Sequence, residues 1–356
     1  MPSNTIRLAA VQAAPVFLNH DGTVDKACRL IREAGAKGAS IIGFPEGFIP
    51  AHPLWYHFYP ASSREAFHFA KRLSENAIEI PGPAVDAVAA AAKEAGIFVV
   101  MGCCERVPGR PGTLFNTLVF IDGEGRVVGR HRKLVPTLGE QLVHTPGDSV
   151  GLKVYHSGQG GMVSGLMCGE NSNALATFAL DAQGANVHVA SWPSHFNMGV
   201  DMREIIPIVT RSLAYQMKAY VINAIGTVNE QMLIELPVND EQREFLEAQG
   251  GGASVMGPWG EIIAGPMEAG EGILYADVSL DGLTVPKLIQ DFGGHYNRFD
   301  LLHVEVQPGG YSPLRVPPAD AVGENVSGLE RSNTAGLTSS RGWPALSSGD
   351  TASSSS

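Results

Sequence analysis

Short apolar runs, separated by glycine and proline, alternate along the chain with segments of helical spacing. Ile6 to Val11 reads as a buried strand. From Asp21 to Ala36, Val24, Ala27, Ile31 and Ala34 recur at the spacing of one helix face, and Gly38 closes the segment. Ile41 to Phe44 predicts a second strand, broken by Pro45. Pro83 to Ala95 predicts an alanine-rich helix ending at Gly96, and Ile97 to Met101 a strand. Leu118 to Ile121, the pair Asp122-Gly123, and Val127 to Gly129 then read as a hairpin.

The same order follows again. Met162 to Met167 is an apolar strand ending at Cys168, Asn173 to Ala182 a helix, and Val187 to Ala190 a strand. Ile205 to Lys218 is helical, and Tyr220 to Ala224 a strand. Ala253 to Met256, a turn at Pro258-Trp259-Gly260, and Ile262 to Ala264 make a second hairpin, with a last strand at Ile273 to Val278. The pattern predicts two similar α/β halves without a clear sequence repeat. One half alone would expose a sheet face, so the halves are expected to pair within a single domain over 1–308. From 309 to 356 the chain loses its period and becomes rich in Gly, Pro and Ser, which predicts a disordered tail.

Composition narrows the function classes. The 356 residues are 44% hydrophobic and 17% charged, too apolar for a mainly disordered chain. The net charge of −11 argues against a nucleic-acid groove or attraction to anionic membranes. No run reaches the ~18 apolar residues of a membrane span. The N-terminal residues lack an apolar signal core, so a cytoplasmic, reduced setting is expected. The four cysteines (Cys28, Cys103, Cys104 and Cys168) then stay thiols rather than forming a disulfide framework. Cys103 and Cys104 are adjacent, so on a strand they point to opposite faces.

Three places carry possible chemistry. Cys168 leaves an apolar strand and enters Gly169-Glu170-Asn171. Free N–H groups of a following helix would favour an anion there and lower the thiol pKa; a buried, inert thiol is the alternative, and the local sequence leaves both open. Glu46 ends a strand within Phe44-Pro45-Glu46-Gly47-Phe48, at the sheet edge where α/β sites form. A carboxylate there is either paired or solvated. Lys133 lies in Arg130-His131-Arg132-Lys133-Leu134-Val135-Pro136, where the apolar, proline-bearing turn would draw it inward. Glu140, seven residues on, is placed to orient it. The eleven histidines show no ligand spacing and are read as structural, and no metal site is expected.

Taken together, Phe-Pro-Glu46, Arg-Lys133-Leu-Val-Pro-Thr and Met-Cys168-Gly-Glu-Asn resemble the glutamate, lysine and cysteine motifs of the nitrilase superfamily of carbon–nitrogen hydrolases, in chain order. Ala190-Ser191-Trp192-Pro193 and His295-Tyr296-Asn297-Arg298-Phe299-Asp300 resemble its nitrilase branch. The resemblance implies a four-layer α-β-β-α sandwich. It also implies an enzyme that hydrolyses a small nitrile through a covalent bond to Cys168, without metal or organic cofactor. Glu46 would be the base, Lys133 the stabilising cation, and Glu140 a second glutamate of the site. Gly169, Trp192, Pro193, Trp55 and Tyr56 are candidates for the substrate pocket. Where many nitrilases carry an aromatic residue after the cysteine, this chain has Gly169, which would open space beside the nucleophile. A homo-oligomer is implied, with a dimer as building block and a spiral as its extension. Two alternatives stand beside this reading: an amidase using the same residues, and a catalytically silent binding or scaffold protein.

Overall fold

The structure, a computed structural model, describes residues 4–195, 201–248 and 250–310. Its first half runs β1 (Thr5–Ala13), α1 (His20–Ala36), β2 (Ile41–Gly43), α2 (Arg64–Asn76), α3 (Pro83–Ala95), β3 (Phe98–Val107), β4 (Arg110–Ile121) and β5 (Val127–Arg132). The second runs β6 (Tyr155–His156), β7 (Met162–Met167), α4 (Ala174–Asp181), β8 (Val187–Trp192), α5 (Met202–Met217), β9 (Tyr220–Gly226), α6 (Glu230–Glu235), α7 (Asp240–Ala248), β10 (Ser254–Met256) and β11 (Ile262–Ala264). β12 (Gly272–Ser279) and α8 (Thr284–Ile289) follow.

The two halves are built alike. β1, β2 and β3 pair in parallel, and β4 and β5 continue the sheet antiparallel. β7, β8 and β9 do the same, with β10 and β11 continuing. The sheets join where Gln12 and Ala13 of β1 pair with Ile225 and Gly226 of β9. β12 does not stay with the second half. It returns to pair antiparallel with β1 along its length, Thr5 opposite Ser279 and Gln12 opposite Gly272, so the chain's last strand completes the first sheet.

Two-residue alternation explains the layers. On β1 and β3, Leu8, Ala10, Phe98 and Val100 turn inward and meet Val187, Val189 and Ile222 of the other sheet in one core. The alternate residues Ala9, Val11, Val99 and Met101 turn outward, where Val24, Ala27 and Ile31 of α1 and Val85, Val88 and Ala92 of α3 cover them. In the second half, Leu166, Ala190 and Val221 are covered by Leu180 of α4 and by Leu213, Ala214 and Met217 of α5. Helix, sheet, sheet and helix therefore stack as expected from the pattern. Gly43 sets how closely the sheets approach, because a Cβ there would stand 2.6 Å from Cγ1 of Val189.

No helix among the described residues is long and apolar enough to cross a membrane. Gly309, at the start of the expected tail, accepts a hydrogen bond from Ser149 at 3.3 Å. Residues 311–356, nearly all of that tail, lie outside the described residues.

Candidate active site

Strand ends deliver the chemistry. Glu46 follows β2, Lys133 follows β5, Cys168 follows β7, and Pro193 follows β8. The Glu46 turn is tied to the other half by its own N–H, which donates to the Trp192 carbonyl at 3.2 Å, and by the Ser191 hydroxyl, which donates to the Phe44 carbonyl at 2.8 Å. It also lies flat against β3, where a Cβ on Gly102 would come within 2.0 Å of the Pro45 carbonyl oxygen. Only glycine permits that approach.

The Lys133 ammonium sits between two buried carboxylates, donating at 2.6 Å to Oε1 of Glu46 and at 2.6 Å to Oε2 of Glu140. The Asn116 amide, on β4, bridges the same pair from the side, at 2.7 Å to each. Glu140 also accepts from the Thr137 N–H at 2.9 Å and pairs with Nδ1 of His144 at 3.0 Å. Burial alone would push the Lys133 ammonium down, but Glu46 and Glu140 outweigh it and hold it well above its ordinary value. Burial would raise Glu140, but His144 and Lys133 hold it well below the usual carboxylate range. Glu46 is likewise held low: Lys133 and His52 overcome burial and the Glu140 charge. One Glu46 oxygen, Oε2, is buried with no hydrogen-bond partner among the described residues.

Cys168 adopts a left-handed backbone, φ 47°, as β7 turns into a short 3₁₀ segment through Ser172. Such a conformation is costly for a non-glycine residue and persists where surrounding structure imposes it. Here Glu170 and Asn171 impose it. Glu170 accepts from the Met167 N–H at 3.1 Å and the Leu134 N–H at 2.7 Å, clamping the cysteine turn to the lysine segment, with His131 against the same carboxylate. The Asn171 amide donates to the Cys168 carbonyl at 2.9 Å, and its oxygen meets Nε2 of His188, whose other nitrogen meets the Ser164 hydroxyl.

Of the two readings left open for Cys168, the acidified thiol is not the one found. Burial and the Glu46 charge push the thiol up to about 12, against the pull of Lys133 and the Gly169 N–H. The thiol is protonated at neutral pH and needs a base to become a nucleophile.

Cys168, Lys133 and Glu140 share a small pocket with His52, His57, Thr137, Leu138, Pro193 and His195. Glu46 lines an adjoining cleft, and His52 borders both.

Comparison with known proteins identifies the family. The carbon–nitrogen hydrolase family profile matches residues 7–285.

The chain belongs to the carbon–nitrogen hydrolase family.

It is 39% identical over 301 residues to a protein named nitrilase 2 from an unknown prokaryotic organism, covering 85% of this chain and 92% of that one. It is 35% identical to an aliphatic nitrilase of Rhodococcus rhodochrous, covering 88% and 85%. Among solved structures, Nit3 of Saccharomyces cerevisiae, a member of branch 10 of the nitrilase superfamily, superposes with a TM-score of 0.63 at 18% identity, over 80% of this chain and 94% of that one. A double mutant of the amidase from Nesterenkonia sp. AN1, in complex with acrylamide, superposes with a TM-score of 0.58 at 18% identity, over 80% and 95%. At that identity these two share the hydrolase fold with this chain, an α/β fold with helices on both faces of a mixed sheet.

Of the pocket candidates, Pro193 lines the pocket that holds Cys168 and Gly169 is exposed next to Cys168 in the chain, with open space where a side chain would project. Trp192 lies in the core against α5, its indole N–H donating to Asn223 at 3.2 Å. Trp55 is fully buried, stacked on Phe69 at 5.6 Å. Tyr56 packs on Gly139, behind the Glu140 turn. The residues that sequence reasoning missed are Asn116, Glu170, Asn171 and the histidines around the pocket. Glu46, His52 and Glu140 bring one ligand atom each within 4.8 Å of one another, the spacing of a metal site. The cation bonded to both of those carboxylates is the Lys133 ammonium.

Proposed function

We propose that this hydrolase is a nitrilase, converting a small organic nitrile to the carboxylic acid and ammonia. The observation that carries the mechanism is the buried Oε2 of Glu46, without a hydrogen-bond partner among the described residues, in a carboxylate whose charge is felt by the Cys168 thiol that burial keeps protonated. Glu46 takes the Cys168 proton as the sulfur adds to the nitrile carbon. The nitrogen gains that proton, giving a covalent thioimidate, and Lys133 with the Gly169 N–H stabilises the charge that develops. Glu46 then removes a proton from water as its oxygen adds to the same carbon. Loss of ammonia from this tetrahedral species leaves a thioester, and a second water releases the acid and the free thiol. Loss of the thiol instead gives an amide, a minor product. Glu140 keeps Lys133 charged and in place.

The nitrile reading is supported by sequence relatives at 31–39% identity that are named nitrilases. The amidases that share the fold do so at 18–20%. Matched nitrile and amide pairs, followed by ammonia, acid and amide release, test it. Acid from nitriles is expected, and none from Cys168→Ala. Turnover of amides without turnover of any nitrile overturns it.

A homo-oligomer with a dimer as its unit, extending to a spiral, goes with this reading. It is supported by the exposed apolar residues Leu175 on α4 and Ile205, Ile208 and Tyr215 on α5, and by Tyr296 and Phe299 nearby. A cytoplasmic setting is supported by four buried cysteines that are all free thiols.

A further inference from the structure

The pocket over Cys168 has a wall that nitrile hydrolysis by Glu46, Lys133 and Cys168 does not use. His52, His57 and His195 form it. The His57 and His195 ring centroids lie 4.8 Å apart and those of His52 and His195 5.5 Å, both edge to face, so the three imidazoles make one surface. His195 is 1% exposed; its Nδ1 meets the Ser194 hydroxyl at 3.1 Å. Its Nε2 has no hydrogen-bond partner among the described residues, and neither does either ring nitrogen of His52. His52 Nε2 comes only to 3.6 Å from Oε1 of Glu46.

A buried polar nitrogen without a partner costs about 1–3 kcal/mol, so such a wall suits a ligand that brings hydrogen-bonding groups. The sign of charge can also be argued. Burial and the neighbouring imidazoles hold His57 down to about 4 and His195 well below its ordinary value, so both are neutral at neutral pH. Glu46, Lys133 and Glu140 together carry one negative charge, which disfavours an anionic substituent nearby. A neutral imidazole presents one N–H and one bare nitrogen. A hydroxyl both donates and accepts, and so satisfies either; a hydrocarbon satisfies neither. His52 also fixes the reach. It stands beside the Glu46 carboxylate and lines the same pocket as Cys168, so a short substituent is the kind that places a hydroxyl there.

We propose that His52, His57 and His195 form a hydroxyl-recognition subsite, and that the substrates are small neutral nitriles with a hydroxyl on the first or second carbon from the cyano group. This rests on the nitrilase reading.

Two size-matched pairs test it: lactonitrile against isobutyronitrile, and β-hydroxypropionitrile against butyronitrile, each alongside the corresponding amide. The wild-type enzyme is expected to favour the hydroxylated member of at least one pair by about tenfold or more in kcat/KM, because a site built to hydrogen-bond a hydroxyl rejects the analogue lacking it. His57→Phe and His195→Phe keep a ring and remove its nitrogens, and are expected to bring that ratio towards one. His57→Gln keeps a donor and an acceptor and is expected to retain it. A wild-type ratio near one in both pairs overturns the proposal whatever the variants do. An unchanged ratio in both phenylalanine variants also overturns it. Equal turnover of paired nitriles removes this subsite and leaves the nitrilase reading standing; turnover of the amides alone removes both.

Discussion

Lys133 owes its role to its neighbours rather than to its own charge. Two carboxylates share its ammonium, and each has further donors, so the three groups stand or fall together. Lys133→Ala leaves Glu46 and Glu140 buried against each other without a cation. It is expected to lose turnover by at least about a hundredfold. It should also lose stability by about 3–5 kcal/mol in urea unfolding, the usual cost of breaking a buried ion pair. Normal kcat in that variant removes Lys133 from the scheme. The Cys168 thiol makes a sharper test, because Glu46 acts on it in two opposed ways. As a base it is needed for turnover, yet its charge pushes the thiol pKa up. Glu46→Gln should therefore abolish nitrile hydrolysis while moving the pH midpoint for iodoacetamide alkylation of Cys168 downward relative to the wild type. An upward or absent shift, read by peptide mass spectrometry, contradicts a thiol held up by the Glu46 charge.

Between β7 and α4, one carboxylate holds the Cys168 turn against the Lys133 segment. Glu170 ties the Cys168 turn to the Lys133 segment through two backbone N–H groups on different strand ends, and the buried His131 leans on it. Glu170→Ala strands these groups, which costs about 1–3 kcal/mol for each left unpaired. kcat is expected to fall more than KM rises, because the distance between nucleophile and cation is set here rather than the pocket wall. An unchanged kcat with a lowered melting temperature would reduce Glu170 to a purely structural part. The strongly periodic elements were legible before the structure. α3 begins at Pro83 and stops before Gly96 as expected, because proline suits a first helical turn and Gly96 takes the left-handed cap. β4 was legible only as Leu118 to Ile121; it starts at Arg110, where antiparallel pairing with β3 as far as Val107 extends it beyond what the local sequence signals. α2 passed unread although Ala66, Phe69 and Leu73 lie on one face; they pack beside the stacked Trp55, a contact visible only in three dimensions.

For the whole molecule, the strand that returns matters most. β12 leaves the second half and pairs along the length of β1, so the two halves are interlocked by more than their shared core. A single cooperative unfolding transition is expected for that reason. The composition of the final segment predicts no core contribution, so a chain lacking 315–356 should keep its thermal midpoint within about 1–2 °C. A drop of several degrees would show that the segment packs.

The sequence by itself determined the alternation of strands and helices, and marked Glu46, Lys133 and Cys168 at strand ends, with Glu140 a short turn beyond Lys133, as the candidate site. These follow from local periodicity and from polar residues placed where an apolar run stops. Tertiary structure decided the rest. Trp55 and Trp192 went to the core instead of the pocket, since large apolar surface is buried wherever two layers meet. Histidines 52, 57 and 195, drawn from two distant stretches of the chain, became one wall. The Cys168 thiol, whose state the local sequence left open, was made less acidic, because burial and a carboxylate from another strand end outweigh the backbone N–H beside it. Desolvation and long-range charge depend on what surrounds a residue in space, and one-dimensional spacing does not record that.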